Sequence, residues 1–275
     1  MLFPYFTRRL LQMFGGLAAM IFGTIATHAD VLFHDDFEGT SLDGTQWTVA
    51  DWKLGRARLG NTPKVVNGMA RLKVQTFDPK QPGQDFVGTE IDTVQTFPIG
   101  SGLEFEARVR FSKLPAGLVP SLFTYTSWTS SSDVLSDEID YEFLTKQIRK
   151  APKGRKPAQV TTWHDFDNTH PSYDSTHENS QNVPVAGLDY SQFNTFTIRW
   201  LPNEVDWYVN GTLIHTATTA VPQQAMNLCL NFWIPGKGWG EAFSPYLLPT
   251  KTAAGNQVYF YDVDYVEVRT MASGS

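Results

Sequence analysis

The chain has a single cysteine, Cys229, among its 275 residues, so no disulfide can form within it. Leu228 and Leu230 flank this cysteine, which favours a small buried side chain over a reactive thiol. A chain without a cross-link must be stabilised by its core alone, and this length is sufficient for one large β domain.

The sequence also has little positive charge. Lys and Arg together number 22 against 28 Asp and Glu, which gives a net charge of −6. No basic stripe is present that would neutralise phosphates, so no nucleic acid partner is expected. The charge balance favours a neutral ligand.

Long apolar runs are absent except at the N-terminus, where residues 10–26 follow Arg8 and Arg9 and precede Thr27-His28-Ala29. This pattern predicts a signal peptide over residues 1–29, and the paired arginines leave both the general secretory and the twin-arginine routes open. A membrane anchor is the alternative, but the run is short and broken by glycines. We therefore expect a secreted or periplasmic protein without stable membrane association.

No long segment has helical apolar spacing, whereas 13% aromatic residues with 21 Gly and 16 Pro are typical of short strands joined by turns. Strict alternation of apolar and polar residues predicts strands at 103–111, 196–201, 204–209 and 258–268. The pattern predicts an all-β fold over residues 30–270, a monomeric sandwich of two antiparallel sheets, with a frayed tail at 271–275.

Two Asn-Gly pairs, Asn67-Gly68 and Asn210-Gly211, lie between apolar runs and predict β-hairpins. Asn210 also begins a glycosylation sequon, for which the turn alone is a sufficient explanation. Polar or basic composition predicts three exposed loops, at residues 128–136, 146–156 and 165–182. The first of these loops would join a strand at 120–126 to an adjacent acidic strand.

That acidic strand runs from Ser136 to Leu144, where Glu138, Asp140 and Glu142 alternate with Ile139, Tyr141 and Phe143. Alternation places the three acids on one face of a sheet, where like charges repel unless they serve chemistry. A merely solvated acidic face is the alternative. Asp140, however, has a carboxylate two residues away on each side, an arrangement that pushes pKa values apart and separates an acid from a base. We interpret the strand as catalytic.

Two carboxylates that flank a sugar bond suffice for glycoside hydrolysis, one as acid and the other as nucleophile or base. The Cα atoms of Glu138 and Glu142 would lie roughly 13 Å apart at about 3.3 Å per residue. A concave sheet would bring the carboxyl groups towards the about 5 Å spacing of retaining enzymes, and a flat sheet towards the wider spacing of inverting enzymes. This spacing does not decide which glutamate is the nucleophile.

The Glu138-Ile139-Asp140-Tyr141-Glu142 pattern resembles the catalytic strand of glycoside hydrolase family 16, whose members are concanavalin-like jelly rolls. Further segments resemble the family in the right order, at residues 33–37, 88–90, 123–126, 137–144, 207–211 and 231–233. The spacing of the acids is similar to the lichenase and xyloglucan-transglycosylase branches, since laminarinases and agarases usually carry one more residue before the second Glu. Lichenase is the closer match.

The resemblance implies a jelly roll with a concave sugar-binding face and endo-hydrolysis of β-1,3-1,4- or related β-glucan with retention. It implies Glu138 as nucleophile, Glu142 as acid/base and Asp140 as their assistant. Two positions depart from the lichenase pattern: Ser136 stands where a Trp is usual, and Asp92 where an Arg is usual. Both positions belong to the sugar cleft, so they bear on linkage specificity.

Sugar rings present apolar faces, and a saccharide cleft therefore needs aromatic platforms with a few polar groups. The resemblance assigns Glu90, Asn231 and Trp233 to the cleft, and the residue types add Phe123, Tyr125, Trp163, His164 and Trp239 as further candidates for substrate binding. No cofactor is expected. A structural Ca²⁺, which some family members bind, is left open with Asp35, Asp36 and Asp262 as scattered acids.

Two other functions share these residues. A transglycosylase would use the same glycosyl-enzyme intermediate with a different acceptor. A carbohydrate-binding lectin would use the same fold without cleavage, although both catalytic glutamates are present in the chain.

Overall fold

A computed structural model describes residues 29–271, which form eighteen strands, one short α-helix and one 3-10 turn. The strands in chain order are β1 Val31–Asp35, β2 Trp47–Val49, β3 Lys53–Leu54, β4 Ala57–Arg58, β5 Lys64–Val65, β6 Ala70–Gln75, β7 Phe86–Val87, β8 Thr89–Phe97, β9 Leu103–Arg110, β10 Val119–Ser130, β11 Asp133–Glu142, β12 Arg155–Asp167, β13 Glu178–Ala186, β14 Asn194–Leu201, β15 Glu204–Val209, β16 Thr212–Ala217, β17 Met226–Trp233 and β18 Val258–Thr270. The helix α1 covers Thr145–Lys150, and the 3-10 turn covers Ala253–Gly255. The predicted signal peptide and tail lie outside the described residues, apart from Ala29 and Met271.

The strands form two sheets. A seven-strand sheet has the order β13-β12-β11-β10-β17-β8-β2. An eleven-strand sheet has the order β16-β15-β14-β9-β18-β6-β7-β4-β3, with β1 added beside β18 and β5 beside β6. Strand pairs in both sheets are antiparallel except β4 with β7, which confirms the predicted antiparallel sandwich.

The hydrophobic core lies between the sheets because alternate residues of each strand point inward. In β9 the side chains of Leu103, Phe105, Ala107 and Val109 are buried, while those between them are half-buried and polar. The same alternation in β11 sends Ile139 and Tyr141 into the core. The opposite face of β11 is thereby left to the three acids.

Both predicted hairpins are confirmed. Asn67 and Gly68 have φ angles of 53° and 64°, and Asn210 and Gly211 have 50° and 76°, so each pair occupies the left-handed region that a two-residue hairpin turn requires. The Asn210 side chain accepts a hydrogen bond from the Thr195 amide and donates one to Asn194. These two bonds hold the Asn210 side chain of the turn against the start of β14.

The three predicted loops are confirmed only in part, since residues 131–132, 151–154 and 168–177 lie outside helices and strands. Strand β10 continues to Ser130 and β11 begins at Asp133, so these adjacent strands are joined by a tight turn instead of a long loop. Within 146–156 the chain forms α1 and then enters β12 at Arg155. The segment 165–182 contains the end of β12 and the start of the edge strand β13. The outer end of β10 and the first half of β13 carry mostly polar side chains on both faces and are held by backbone pairing, so hydrophobic alternation does not reveal them.

Acids on the outer side of the eleven-strand sheet are paired with arginines. Asp262 accepts hydrogen bonds from both Arg71 and Arg110, and Glu104 is paired with Arg199 and Arg269. Two arginines around Asp262 do not fit a calcium ion, and Asp35 accepts the indole N–H of Trp47. Among residues 29–271 no helix has the length and apolar character needed to cross a membrane.

Candidate active site

Strand pairing carries the acids of β11 into line with side chains of β10, β17 and β8. One row across the sheet consists of Glu142, Ser121, Asn231 and Glu90. The neighbouring row consists of Asp140, Phe123, Cys229 and Asp92. Residues in one row share a face of the sheet, so a chain lying across these strands would touch both catalytic and remote side chains.

A cleft of about 670 Å³ opens on this face. Its lining includes five carboxylic acids, Glu90, Asp92, Glu138, Asp140 and Glu142, and the described part of the chain contributes no Lys, Arg or His to it. The other lining residues are Thr48, Trp52, Leu54, Thr93, Val94, Ser121, Phe123, Tyr125, Asn227, Cys229, Asn231 and Trp233. An acidic cleft with aromatic walls suits a neutral sugar chain.

Burial raises the pKa of Glu138, Asp140 and Glu142, since a carboxylate loses hydration in the cleft. Glu142 reaches a pKa of about 8, and the neighbouring charge of Glu138 adds to the effect of burial. Burial raises the pKa values of Glu138 and Asp140 well above their ordinary values, and the charge of Asp140 adds to the effect at Glu138 as that of Glu142 does at Asp140. The strand therefore holds a protonated acid beside a second carboxyl group near neutral pH, as general acid catalysis requires.

Two tryptophans hold Asp140 in place. The Trp163 indole N–H donates to Oδ2 of Asp140 at 3.1 Å. From the core side, the Trp207 indole N–H donates to the backbone carbonyl of Asp140 at 2.9 Å. Side chain and backbone are thus fixed separately, and Asp140 lies close enough to Glu138 for its charge to raise the pKa of that glutamate.

Asp137 anchors the start of the catalytic strand and is fully buried. Its carboxylate accepts backbone N–H bonds from Asp165, Gln223 and Gln224 at 2.7–2.9 Å. His164 Nδ1 lies 3.1 Å from the same carboxylate. His164 therefore supports the strand from behind and does not line the cleft.

Three polar atoms in the cleft are buried without a hydrogen-bond partner in the protein: Ser121 Oγ, Asn231 Oδ1 and Trp233 Nε1. Asn231 donates its Nδ2 to Glu90 at 2.9 Å, which leaves its oxygen free. Buried polar groups are rarely left unpaired in folded proteins. The three atoms therefore mark positions where ligand hydroxyl groups would complete the bonding.

Trp233 is held from behind by Gly55 and from the side by Trp239. Gly55 has φ of 55°, and a Cβ there would lie 2.9 Å from the Trp233 ring and 2.5 Å from the Ile234 carbonyl, so only glycine fits. The Trp239 ring stacks against Trp233 with centroids 6.0 Å apart. Trp239 supports the cleft wall without lining the cleft.

The structure thus places five of the predicted binding residues in the cleft, namely Glu90, Phe123, Tyr125, Asn231 and Trp233. Trp163, His164 and Trp239 lie outside the lining and contact residues that form or support the site. The sequence reasoning missed Ser121, Asn227 and the exposed Trp52 as site residues. Ser121 has the same parity as Phe123 and Tyr125 on β10, so strict alternation was a usable signal for it.

Cys229 is buried as predicted, with 3% of its surface exposed, but it lies on the cleft face between Phe123 and Asp92 and not in the core between the sheets. Burial raises the pKa of its thiol well above the ordinary value. A protonated buried thiol is a poor nucleophile.

The family model described as "Glycosyl hydrolases family 16" matches residues 55–253. A beta-glucanase of Bacillus subtilis (strain 168) is 30% identical over 249 residues, covering 88% of this chain and 92% of the relative. The endo-1,3-1,4-beta-glycanase ExoK of Rhizobium meliloti (strain 1021) is 30% identical over 246 residues, covering 83% of this chain and 81% of the relative.

Among solved structures, the Bacillus licheniformis beta-glucanase is similar, with a TM-score of 0.63 and 24% identity over 87% of this chain and 98% of the other. At this identity the likeness concerns the fold. The jelly-roll fold class predicted from the sequence is confirmed.

Proposed function

This chain belongs to glycosyl hydrolases family 16, and from that premise we propose that it cleaves β-glucan by a retaining mechanism in which Glu138 is the nucleophile and Glu142 the acid/base. The enzyme is an endo-acting β-glucan hydrolase. The proposed roles rest on the three acids that share one face of β11. Among them Glu142 has a pKa of about 8 and lies beside Glu138.

In the first step, the Glu138 carboxylate attacks the anomeric carbon while the Glu142 carboxyl proton passes to the leaving glycosidic oxygen. The C–O bond to the leaving sugar breaks, and an ester bond to Glu138 forms on the opposite face of the ring. In the second step, ionised Glu142 takes a proton from water, and the resulting hydroxide attacks the anomeric carbon and releases Glu138. Two inversions give net retention of the β-configuration.

Asp140 assists both steps through its position between the two glutamates. When it holds a proton, it donates a hydrogen bond to Glu138 and stabilises the carboxylate that leaves at the end of the cycle. The Trp163 indole keeps the other Asp140 oxygen occupied and so directs this bond towards Glu138. Trp163 is therefore a positioning residue for the nucleophile.

Sugar binding would use the aromatic side chains and the unpartnered polar atoms of the cleft. Phe123 and Tyr125 form its floor beside the catalytic strand, and Trp233 forms a wall. Ser121 Oγ would accept or donate a hydrogen bond with a ring hydroxyl group, and Asn231 Oδ1 would accept one. The linkage we propose is β-1,3-1,4 or a related mixed β-glucan linkage, in keeping with the name of the Rhizobium relative.

We further propose that the protein is exported through the N-terminal segment 1–29 and acts as a secreted or periplasmic monomer on polysaccharide, without stable membrane association. Fractionation of expressing cells, with N-terminal sequencing of the mature protein, tests this. A mature chain starting near Asp30 supports export, and a full-length chain retained in the membrane fraction contradicts it.

The activity is tested by product release from barley β-glucan, laminarin and xyloglucan, with and without an added acceptor oligosaccharide. We expect oligosaccharide release from the mixed-linkage glucan, with water and not the added acceptor receiving most of the cleaved glycosyl groups. Transfer to the acceptor as the main outcome would make the enzyme a transglycosylase. Binding without cleavage of any substrate would make the protein a lectin.

A further inference from the structure

Asp92 lies at the end of the cleft remote from the catalytic strand, and the mechanism does not use it. Three strand spacings separate β8 from β11, which is roughly 14 Å at about 4.8 Å per spacing. The side chain lines the cleft and shares a row with Cys229 and Phe123. A sugar near Asp92 is therefore a different ring of the chain from the ring that is cleaved.

The charge of Asp92 has no cation beside it. Within the described range 29–271, the cleft lining contains no Lys, Arg or His, and the residue opposite Asp92 on β17 is Cys229, whose thiol donates to the Asn227 carbonyl at 3.7 Å. Glu90 lies two residues away on the same face of β8 and bonds to Asn231. Burial raises the pKa of both carboxyl groups, that of Glu90 to about 7. At pH values above 7 this end of the cleft therefore carries negative charge with no cation of the described residues beside it.

A second observation points to a ligand at this end. Asn231, beside Glu90 on β17, is 4% exposed and has a buried oxygen atom without a protein partner, and Ser121, which is 2% exposed and lies opposite Glu142 nearer the catalytic strand, has another. These residues occupy the row next to that of Asp92, together with Glu90. Hydroxyl groups of a sugar ring would satisfy both oxygens, whereas a carboxylate or sulfate has no proton to donate to Asn231 Oδ1.

We propose that Asp92 is a specificity-determining residue, which selects neutral β-glucan and excludes glucan that carries carboxylate, sulfate or phosphate groups. The inference rests on the proposed function, since it names the substrate class of the same site. Asp92 accepts hydrogen bonds from the hydroxyl groups of a neutral ring. An anionic substituent in the same place meets a desolvated like charge, and its repulsion is screened only partly by salt.

The test compares wild type, Asp92→Asn and Asp92→Ser on one batch of mixed-linkage β-glucan and on its carboxymethylated derivative. Asn has the shape of Asp without its charge, and Ser serves as a second neutral variant if Asn perturbs the cleft. Glu204→Gln is the matched control, because it removes one negative charge on β15 in the other sheet. Thermal unfolding of each variant shows that it is folded.

We expect the ratio of kcat/KM on carboxymethylated glucan to kcat/KM on neutral glucan to rise about tenfold in Asp92→Asn at low salt. The rise should shrink at high ionic strength, and Glu204→Gln should leave the ratio at the wild-type value. Carboxymethyl groups that contact other parts of the cleft affect all variants alike, so their effect cancels when the ratios of the variants are compared.

An unchanged ratio in both neutral variants, or an equal rise in Glu204→Gln, would overturn the assignment of Asp92. Failure of wild type to cleave the neutral glucan would instead count against the proposed function, so the two failures are distinguishable.

Discussion

Acids occur on both sheets of this molecule, and the two groups differ in their partners. The paired acids, Asp78, Asp262, Asp264 and Glu104, each contact an arginine on or beside the eleven-strand sheet. The cleft acids, Glu90, Asp92, Glu138, Asp140 and Glu142, have no ion pair with a Lys, Arg or His of the described residues 29–271.

The pKa directions follow from these partners. Burial alone would raise the pKa of Asp78, but the hydrogen bonds and charge of Arg58, together with the Lys80 amide, more than offset it and lower the pKa. Burial raises the pKa of Glu90 to about 7, with a contribution from Asp92. Carboxylic acids thus stabilise the structure through arginine pairs on one sheet, whereas on the other their raised pKa values suit them to acid–base chemistry.

The largest difference between the groups should appear on truncation. Glu138→Ala and Glu142→Ala should each lower kcat on the mixed-linkage glucan by about 10⁴-fold, since each removes a group that the transition state requires. Asp262→Asn, at a paired acid, should retain the wild-type kcat at 25 °C. Steady-state kcat values of the three variants test this difference. A loss of kcat in Asp262→Asn as large as that in the alanine variants would contradict it.

A paired acid should instead control stability. Asp78→Asn leaves Arg58 without its fully buried partner, and we expect a loss of about 3 kcal/mol in the free energy of unfolding at pH 7. Because the folded pKa of Asp78 lies below its unfolded value, this contribution is present above pH 4 and is lost as the pH falls through the folded pKa. Urea unfolding at pH 7 and pH 3 measures the effect, and an equal loss at both pH values would contradict the pairing argument.

Removing the charge of a cleft acid should have the opposite effect on the free energy of unfolding. Glu90 has a folded pKa of about 7, above its unfolded value near 4.5, so the folded state loses stability as the pH rises between these two values. Glu90→Gln should therefore be more stable than wild type by about 2 kcal/mol at pH 8 and by much less at pH 4. Gln keeps an acceptor for Asn231, so the difference in unfolding free energy reports the charge. A destabilised variant at pH 8 would refute this account of the cleft acids.

The smallest predicted effect concerns the tryptophan that bonds to Asp140. Trp163→Phe removes the indole N–H but keeps an aromatic ring against Phe166, and kcat should fall about tenfold. Since this bond lowers the pKa of Asp140, its loss raises that pKa, and the alkaline limb of the pH–rate profile, which reports groups that act in their protonated form, should move to higher pH. A lower kcat with an unmoved pH profile would indicate a packing role only.

Much of this comparison could be predicted from the sequence, because alternation is a local property. The acids of β11 and the Asn-Gly turns follow from periods and backbone angles that a few neighbouring residues determine. The predicted binding residues Asn231 and Trp233 came from family resemblance, and the structure places both in the cleft lining, with Asn231 in the same row as Glu142.

Other features depend on contacts between distant segments. Asp137 has the parity of a core residue, and its role follows from backbone amides of residues 165, 223 and 224 that approach it only in the fold. The bond from Trp163 to Asp140 depends on the register of β12 against β11. Strand β13 and helix α1 are polar and are held by neighbours, so their own sequences carry no apolar period.

The assignment of Glu138 as nucleophile and Glu142 as acid/base is tested most directly by azide rescue of the two alanine variants, with NMR assignment of the product anomer. We expect Glu138→Ala with azide to give an α-glycosyl azide, because azide attacks from the space that the nucleophile vacates. Glu142→Ala should give the β-glycosyl azide through the intact covalent intermediate. The opposite pair of anomers would exchange the two roles and contradict the account.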